Sequence, residues 1–271
     1  MIHQTIKIQE SGSMEGARLI TYIQEKNLSS IVNERPCVLI FPGGGYNHLA
    51  AQKEGESYAL QMCAMGYQAA VLEYSVAPAT YPTQILEVAR AIKILRDHAK
   101  EWGIDPNKIF VCGSSAGGHL AASYGCLWHE DFVAEAMGIT DKEVLRPNGM
   151  ILCYPVITSG EKAHRGSFVT LCGDRYDELV EKLSIEKIVN EYTPKAFIWH
   201  TFADLSVPVE NALLLAKALG EHKIPYELHI YPVGKHGLGL ADWTTQNDMG
   251  TGTEPQCQSW IKLLKTWLEY F

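Results

Sequence analysis

Two adjacent serines, Ser114 and Ser115, stand where an apolar run breaks into glycines: residues 109–122 read IFVCGSSAGGHLAA. A serine hydroxyl becomes a useful nucleophile only when a neighbouring base takes its proton. Ser115 is the centre of Gly113-x-Ser115-x-Gly117, directly after the run that ends at Cys112, whereas Ser114 is flanked at the same spacing by Cys112 and Ala116. A tight strand-to-helix turn holds its tip residue in a strained conformation and needs small neighbours two residues to either side. Ser115 meets that requirement and Ser114 does not. The plain alternative is a helix-capping serine beside a glycine turn. A phosphate loop is excluded, because Gly113 and Gly118 are followed by His119-Leu120 where Lys-Ser/Thr would be required.

Of the ten histidines, His236 is the candidate base: it sits in PVGKHGLGL, a glycine-rich loop after the last β-like run. His119 falls one turn into the helix after Ser115 and reads as a packing or supporting group, and His200 ends an apolar strand as a core histidine would. An acid must hold the imidazole in one tautomer and stabilise its cation. Asp204, in HTFADLSVP after the run 196–201, is favoured over Asp242, which also lies near His236 in sequence but one strand too late. The chain order is then Ser, Asp, His. FPGGGYNH (41–48) follows another strand-like run and offers backbone amides that can approach a substrate closely, so Gly44, Gly45 and Ala116 are the candidate oxyanion donors.

These residues need a scaffold, and the hydrophobic pattern supplies one. β-rich runs fall at 4–9, 18–24, 37–41, 68–74, 108–112, 149–154, 196–201 and 226–231, the later ones almost continuously apolar, as suits parallel strands covered on both faces. Helical periodicity occupies 83–101, 208–222 and about 254–270, the last with Trp260, Leu263, Leu264, Trp267 and Leu268 on one face as core packing. Alternation of this kind predicts an α/β chain with a mostly parallel sheet of about eight strands, helices on both faces and an antiparallel edge formed by the first two strands. Ligands bind at the carboxyl ends of such strands, and every candidate above falls just after one.

The 271 residues, with neither internal repeat nor low-complexity linker, are read as a single domain (1–271), in which 156–195 can form a small cap-like excursion. A net charge of −8 without a Lys/Arg cluster argues against a nucleic-acid partner. No apolar run approaches the ~20 residues that span a bilayer, so no membrane partner is expected, and MIHQTIKIQESGSMEG lacks the apolar core of a secretory signal. Seven scattered cysteines without a Cys-x-x-Cys pair read as buried apolar residues in a reducing compartment rather than a disulfide frame or zinc site; a cytoplasmic enzyme is the expectation.

FPGGGY (41–46), VCGSSAGGHLAA (111–122), FIWHTFADLSVPVENALLLAKAL (197–219) and HIYPVGKHGLGLA (229–241) run in order along the chain. Together they make the sequence resemble the α/β-hydrolase esterases, and within them the small acetyl-xylan or carbohydrate esterase branch. The resemblance implies the α/β-hydrolase fold, with Ser115, Asp204 and His236 in the roles already assigned. Many relatives begin the oxyanion motif with His-Gly-Gly-Gly where this chain has Pro42-Gly43-Gly44-Gly45, which leaves open how that loop is braced. Relatives often carry two acidic residues where this chain has Ala203-Asp204, so Asp204 alone remains for the role.

The expected reaction is two-step acyl transfer to Ser115 and then to water, needing neither metal nor organic cofactor, with activity falling on the acid side near an imidazole pKa of ~6.5. The substrate expectation is a small-molecule ester, an acetyl group on a sugar or oligosaccharide. The chain has no large apolar lid segment, 156–195 is rich in Lys, Glu, Arg and Tyr, and Tyr46 and Trp243 flank the candidate loops where they could stack on a sugar ring. An arylformamidase-type amidase, a general short-chain carboxylesterase and a non-catalytic binding protein on the same scaffold are the competing readings.

Overall fold

The computed structural model describes residues 1–25, 34–247 and 250–270. Eight strands form one sheet: β1 (Thr5–Lys7), β2 (Arg18–Tyr22), β3 (Arg35–Phe41), β4 (Gln68–Glu73), β5 (Ile104–Ser114), β6 (Gly149–Cys153), β7 (Ala196–Thr201) and β8 (Tyr226–Tyr231). Their order is β1-β2-β4-β3-β5-β6-β7-β8. β1/β2 and β2/β4 are antiparallel and the remaining pairs parallel. This is the expected α/β-hydrolase sheet, with its antiparallel edge where the sequence placed it. The runs CVLIF and GMILC are buried throughout because helices cover both of their faces.

The α-helices among the described residues are α1 (Ser57–Ala64), α2 (Thr83–Asp97), α3 (Ala99–Trp102), α4 (Ala116–Leu127), α5 (Asp131–Met137), α6 (Arg165–Cys172), α7 (Tyr176–Leu179), α8 (Glu210–Glu221) and α9 (Ser259–Glu269). Two apolar cores flank the sheet. One packs α2, α4 and α8 against it through residues such as Val88, Leu120 and Leu215. The other packs α1 and α9 through Tyr58, Met62, Trp260 and Trp267. The segment 156–195 is no detached lid: Phe168, Leu171, Leu183 and Ile185 belong to the first core. α9 starts at Ser259, later than its periodicity suggested, because 255–258 form a turn closed by the Cys257 amide on the Glu254 carbonyl. All seven cysteines are unpaired, and only Cys63 is not fully buried. Among the described residues no helix is long and apolar enough to cross a membrane.

The chain leaves β3 and β5, which are neighbours, towards opposite sides of the sheet: β3 leads to β4 and β5 to β6. A crevice opens where strand order reverses in this way, above the carboxyl ends. The register pairs Phe41 with Gly113, bringing the glycine loop after β3 level with the turn after β5. On the far core, Trp260 stacks on Trp199 with ring centroids 5.2 Å apart and touches Tyr58 at 5.4 Å. Trp260→Ala is therefore expected to cost about 3–5 kcal/mol of stability. Urea denaturation measures it, and a loss under 1 kcal/mol would show that α9 is a dispensable cover.

Candidate active site

Ser115 sits at the tip of the turn between β5 and α4 with φ 54° and ψ −118°. Such a conformation persists only where the surroundings force it. A Cβ on Gly113 would lie 2.0 Å from the Gly117 carbonyl oxygen, and one on Gly117 would lie 2.1 Å from that of Phe41. Only glycine at both positions lets α4 meet β3 and β5 this closely. The Ser115 amide donates to the Cys153 carbonyl (3.0 Å), and its own carbonyl accepts from His119 and Val156 (both 3.1 Å). Ser114 instead points into the core and donates to the Tyr58 hydroxyl (3.3 Å).

The structure brings the three residues singled out in the sequence together. His236 Nε2 lies 2.7 Å from Ser115 Oγ, and its Nδ1 lies 2.6 Å from Asp204 Oδ2. Asp204 Oδ1 accepts from the amides of Ser206 (2.9 Å) and Val207 (3.0 Å), which fixes the carboxyl plane. His200 is buried, donates from Nε2 to the Val207 carbonyl (2.8 Å), and holds the same nitrogen 3.4 Å from Asp204 Oδ2. Burial alone would push the Asp204 carboxyl up. The contacts with His200 and His236 and the Val207 amide outweigh burial and hold it well below the usual carboxylate range. Asp242 is engaged elsewhere, its Oδ1 accepting from the Thr244 amide at 2.9 Å.

The glycine loop adopts left-handed backbone at Gly44 (φ 133°), Gly45 (φ 65°) and Tyr46 (φ 62°). A Cβ on Gly44 would sit 2.0 Å from the His48 carbonyl oxygen, so this position tolerates no side chain. Among the described residues, the amides of Gly44, Gly45 and Ala116 have no protein acceptor, whereas that of Gly43 donates to Glu54 Oε2 at 2.9 Å. Gly44 and Gly45 line the cleft with Ser115; Ala116 is buried and opens α4 beside it. The cleft measures about 490 Å³, and its polar lining includes Asn47, His48, Lys53, His164, Thr170 and Ser206.

Two expected substrate contacts do not stand. The positive φ of Tyr46 turns its ring inward: it is 1% exposed and donates its hydroxyl to His119 Nδ1 at 2.8 Å, while His119 Nε2 donates to the Leu183 carbonyl at 2.9 Å. Burial pushes the His119 pKa down to about 4, and the ring ties the glycine loop to the excursion as a neutral brace. Trp243 is 75% exposed and is not among the residues lining the cleft, so neither aromatic offers a stacking platform there.

Glu54 is the residue that sequence reasoning missed. It is buried in a π-helical turn (Ala51–Glu56), and its second oxygen accepts from the Tyr154 hydroxyl at 2.8 Å. Tyr154 follows β6, has φ 37°, packs edge-on to the His236 ring at 5.2 Å and accepts from the Gly239 amide at 2.9 Å. Ser114 donates to Tyr58, which donates to the Gly239 carbonyl at 3.2 Å. One hydrogen-bond chain thus joins the serine turn, the histidine loop and the glycine loop, and braces the last from Glu54. Tyr154 had a signal, being a polar residue just past a strand end; Glu54, in AAQKEGES, looks like any solvated helix. Glu54→Ala removes the acceptor of the Gly43 amide and of the Tyr154 hydroxyl proton and is expected to cost about 1–3 kcal/mol. It should lower kcat more than it raises KM; chemical denaturation with steady-state kinetics checks both, and unchanged values would make the chain incidental.

Comparisons with known proteins agree with this architecture. The family model BD-FAE matches residues 28–219. The chain is 38% identical over 214 residues to endo-1,4-beta-xylanase B of Butyrivibrio fibrisolvens, covering 77% of this chain and 33% of that protein. It is 31% identical over 213 residues to an acetylxylan esterase of Xylanibacter ruminicola, covering 76% of this chain and 42% of that protein. The chain thus spans less than half of the length of these two relatives. An acetyl ester-xyloside bifunctional hydrolase from Caldicellulosiruptor lactoaceticus superposes with a TM-score of 0.80 at 41% identity, covering 94% of this chain and 88% of that one. With a sheet of α/β-hydrolase order and a family match over most of its length, this chain belongs to the BD-FAE family of α/β-hydrolases.

Proposed function

We propose that the protein is a serine carboxylic-ester hydrolase that removes short acyl groups, above all acetyl, from a sugar or oligosaccharide. The observation that carries this reading is the hydrogen-bonded series Ser115–His236–Asp204, with contacts of 2.7 and 2.6 Å, beside the unengaged amides of Gly44, Gly45 and Ala116. His236 Nε2 takes the Ser115 proton as Oγ attacks the ester carbonyl carbon. The carbonyl oxygen becomes an oxyanion facing the three amides, and Asp204 stabilises the imidazolium. Collapse breaks the bond to the alcohol oxygen, which receives the proton from His236. Water, deprotonated by the same imidazole, then attacks the acyl carbon; the bond to Ser115 Oγ breaks, Oγ takes the proton back from His236, and the acid leaves. Preorganised donors of this kind are worth roughly 10²–10³ in kcat each.

Asn47, His48, Lys53, Thr170 and Ser206 line the cleft and supply partners for a hydroxyl-bearing alcohol. The xylan-related names of two relatives and a structural neighbour point in the same direction. Ser115→Ala is expected to reduce turnover of p-nitrophenyl acetate about 10⁴-fold or more. Wild-type rates should fall steeply from acetate through butyrate to octanoate, and acetylated xylose should release acetate. Equal or faster rates on the longer esters would favour a general carboxylesterase, faster turnover of aryl formamides an amidase, and a Ser115→Ala variant as active as wild type would remove the mechanism.

The pH dependence follows from the depressed Asp204 pKa. Its folded value lies below its unfolded one, so the stability that its ionised form contributes is present above the ordinary carboxylate range. That contribution is lost only as pH falls through the lower folded value. Asp204 is therefore ionised throughout the window of about pH 5–8 in which a histidine titrates. The acid limb of kcat/KM is expected to have the slope of one proton, with Asp204 contributing none. A two-proton limb in that window would contradict the assignment.

A further inference from the structure

His164, Gly166 and Thr170 bring the 156–195 excursion to the cleft, and of these His164 presents an imidazole held in one orientation. It caps the N-terminus of α6: its Nδ1 accepts from the Ser167 amide at 3.3 Å, a donor shared with the His164 carbonyl at 3.1 Å, and lies 2.8 Å from Ser167 Oγ. A backbone N–H can only donate, so Nδ1 carries the lone pair and the neutral ring carries its proton on Nε2. Among the described residues, Nε2 has no protein partner. The ring is half-buried and lines the same cleft as Ser115, His236, Gly44 and Gly45, with Thr170 and Ser206 beside it. Ser167 is itself buried, and its Oγ would lie 3.9 Å from a Cβ built on Gly45, so the cap sits beside the glycine loop. Burial first, and then the neighbouring His236 charge, push the His164 pKa down.

We propose that His164 is a specificity-determining contact, donating its Nε2–H to a hydroxyl or ring oxygen of the alcohol part of the substrate. This rests on the ester-hydrolase reading above and deepens it. The imidazole of His236 has to reach the leaving oxygen, and His164 shares the cleft wall with His236, so we place it on the alcohol side. A fixed-tautomer donor there selects alcohols that carry an acceptor oxygen next to the ester, as a sugar does and a nitrophenol does not. A flexible charged side chain would not discriminate in this way. The excursion then serves as a built wall of the alcohol site, its donor held in place by the helix it caps.

Two substitutions separate the two nitrogens. His164→Asn puts an amide oxygen near the Nδ1 position, keeping the cap and deleting the outer donor. His164→Gln reaches the Nε2 position with an amide N–H and weakens the cap. The readout is the ratio of kcat/KM for mono-acetylated xylobiose to that for p-nitrophenyl acetate, together with Tm. His164→Asn is expected to lower the ratio about tenfold, through KM of the sugar ester and with Tm near wild type, as loss of one hydrogen bond predicts. His164→Gln is expected to keep the ratio within threefold of wild type while lowering Tm. If wild type cleaves both substrates and His164→Asn keeps the wild-type ratio, or loses both activities in parallel, the assignment of His164 falls and the esterase reading stands. If wild type cleaves the aryl acetate but not acetylated xylobiose, the sugar reading falls and the assignment with it.

Discussion

The site depends on a backbone approach so close that nothing larger than hydrogen fits between the pieces. Gly117 on α4 lies against the carbonyls of Phe41 and Pro42, while Gly113 on β5 lies against the carbonyl of Gly117. That contact presses the first turn of α4 into the notch between β3 and β5, where the strand order reverses. The turn between Gly113 and Gly117 has no room to relax, and Ser115 is held at φ 54° with its hydroxyl above the sheet. The strain is local, and the two apolar cores to either side of the sheet outweigh it.

Once Ser115 is fixed, its neighbours are positioned by hydrogen bonds that bridge loops distant in sequence. Glu54 binds the glycine loop through one oxygen and Tyr154 through the other, and Tyr154 carries the connection on to the histidine loop through Gly239. On the opposite side, His119 connects Tyr46 to Leu183 of the excursion. These buried polar groups leave few donors unmatched, and that matching is what makes such a network rigid rather than costly. The loops around Ser115 therefore form one assembly, in which His236 sits within reach of Ser115 because its loop is anchored from below.

Much of this was legible in the sequence because it is written in short-range patterns. The eight β-rich runs became the eight strands, since an apolar run such as AFIWHT has one stable place in an α/β chain, between two layers of helix. Ser115, Asp204 and His236 could be found because strand ends and glycines mark the loops above the sheet. What stayed hidden depends on three-dimensional coincidence. Tyr46 looks like a loop aromatic available to a ligand, yet a positive φ turns it into the core. Glu54 looks solvated until the π-helical turn brings it under the glycine loop. His164 lies in a polar stretch whose sequence gives no hint that its ring caps α6.

The central claim is that Ser115 carries the acyl group between two half-reactions. The most direct measurement is mass spectrometry of rapidly acid-quenched protein mixed with p-nitrophenyl acetate, followed by peptide mapping. The account predicts one acetyl group on the peptide containing Ser115, lost on longer incubation as water completes turnover and absent from Ser115→Ala. Acetyl found on another residue, or full hydrolysis by Ser115→Ala, would contradict it.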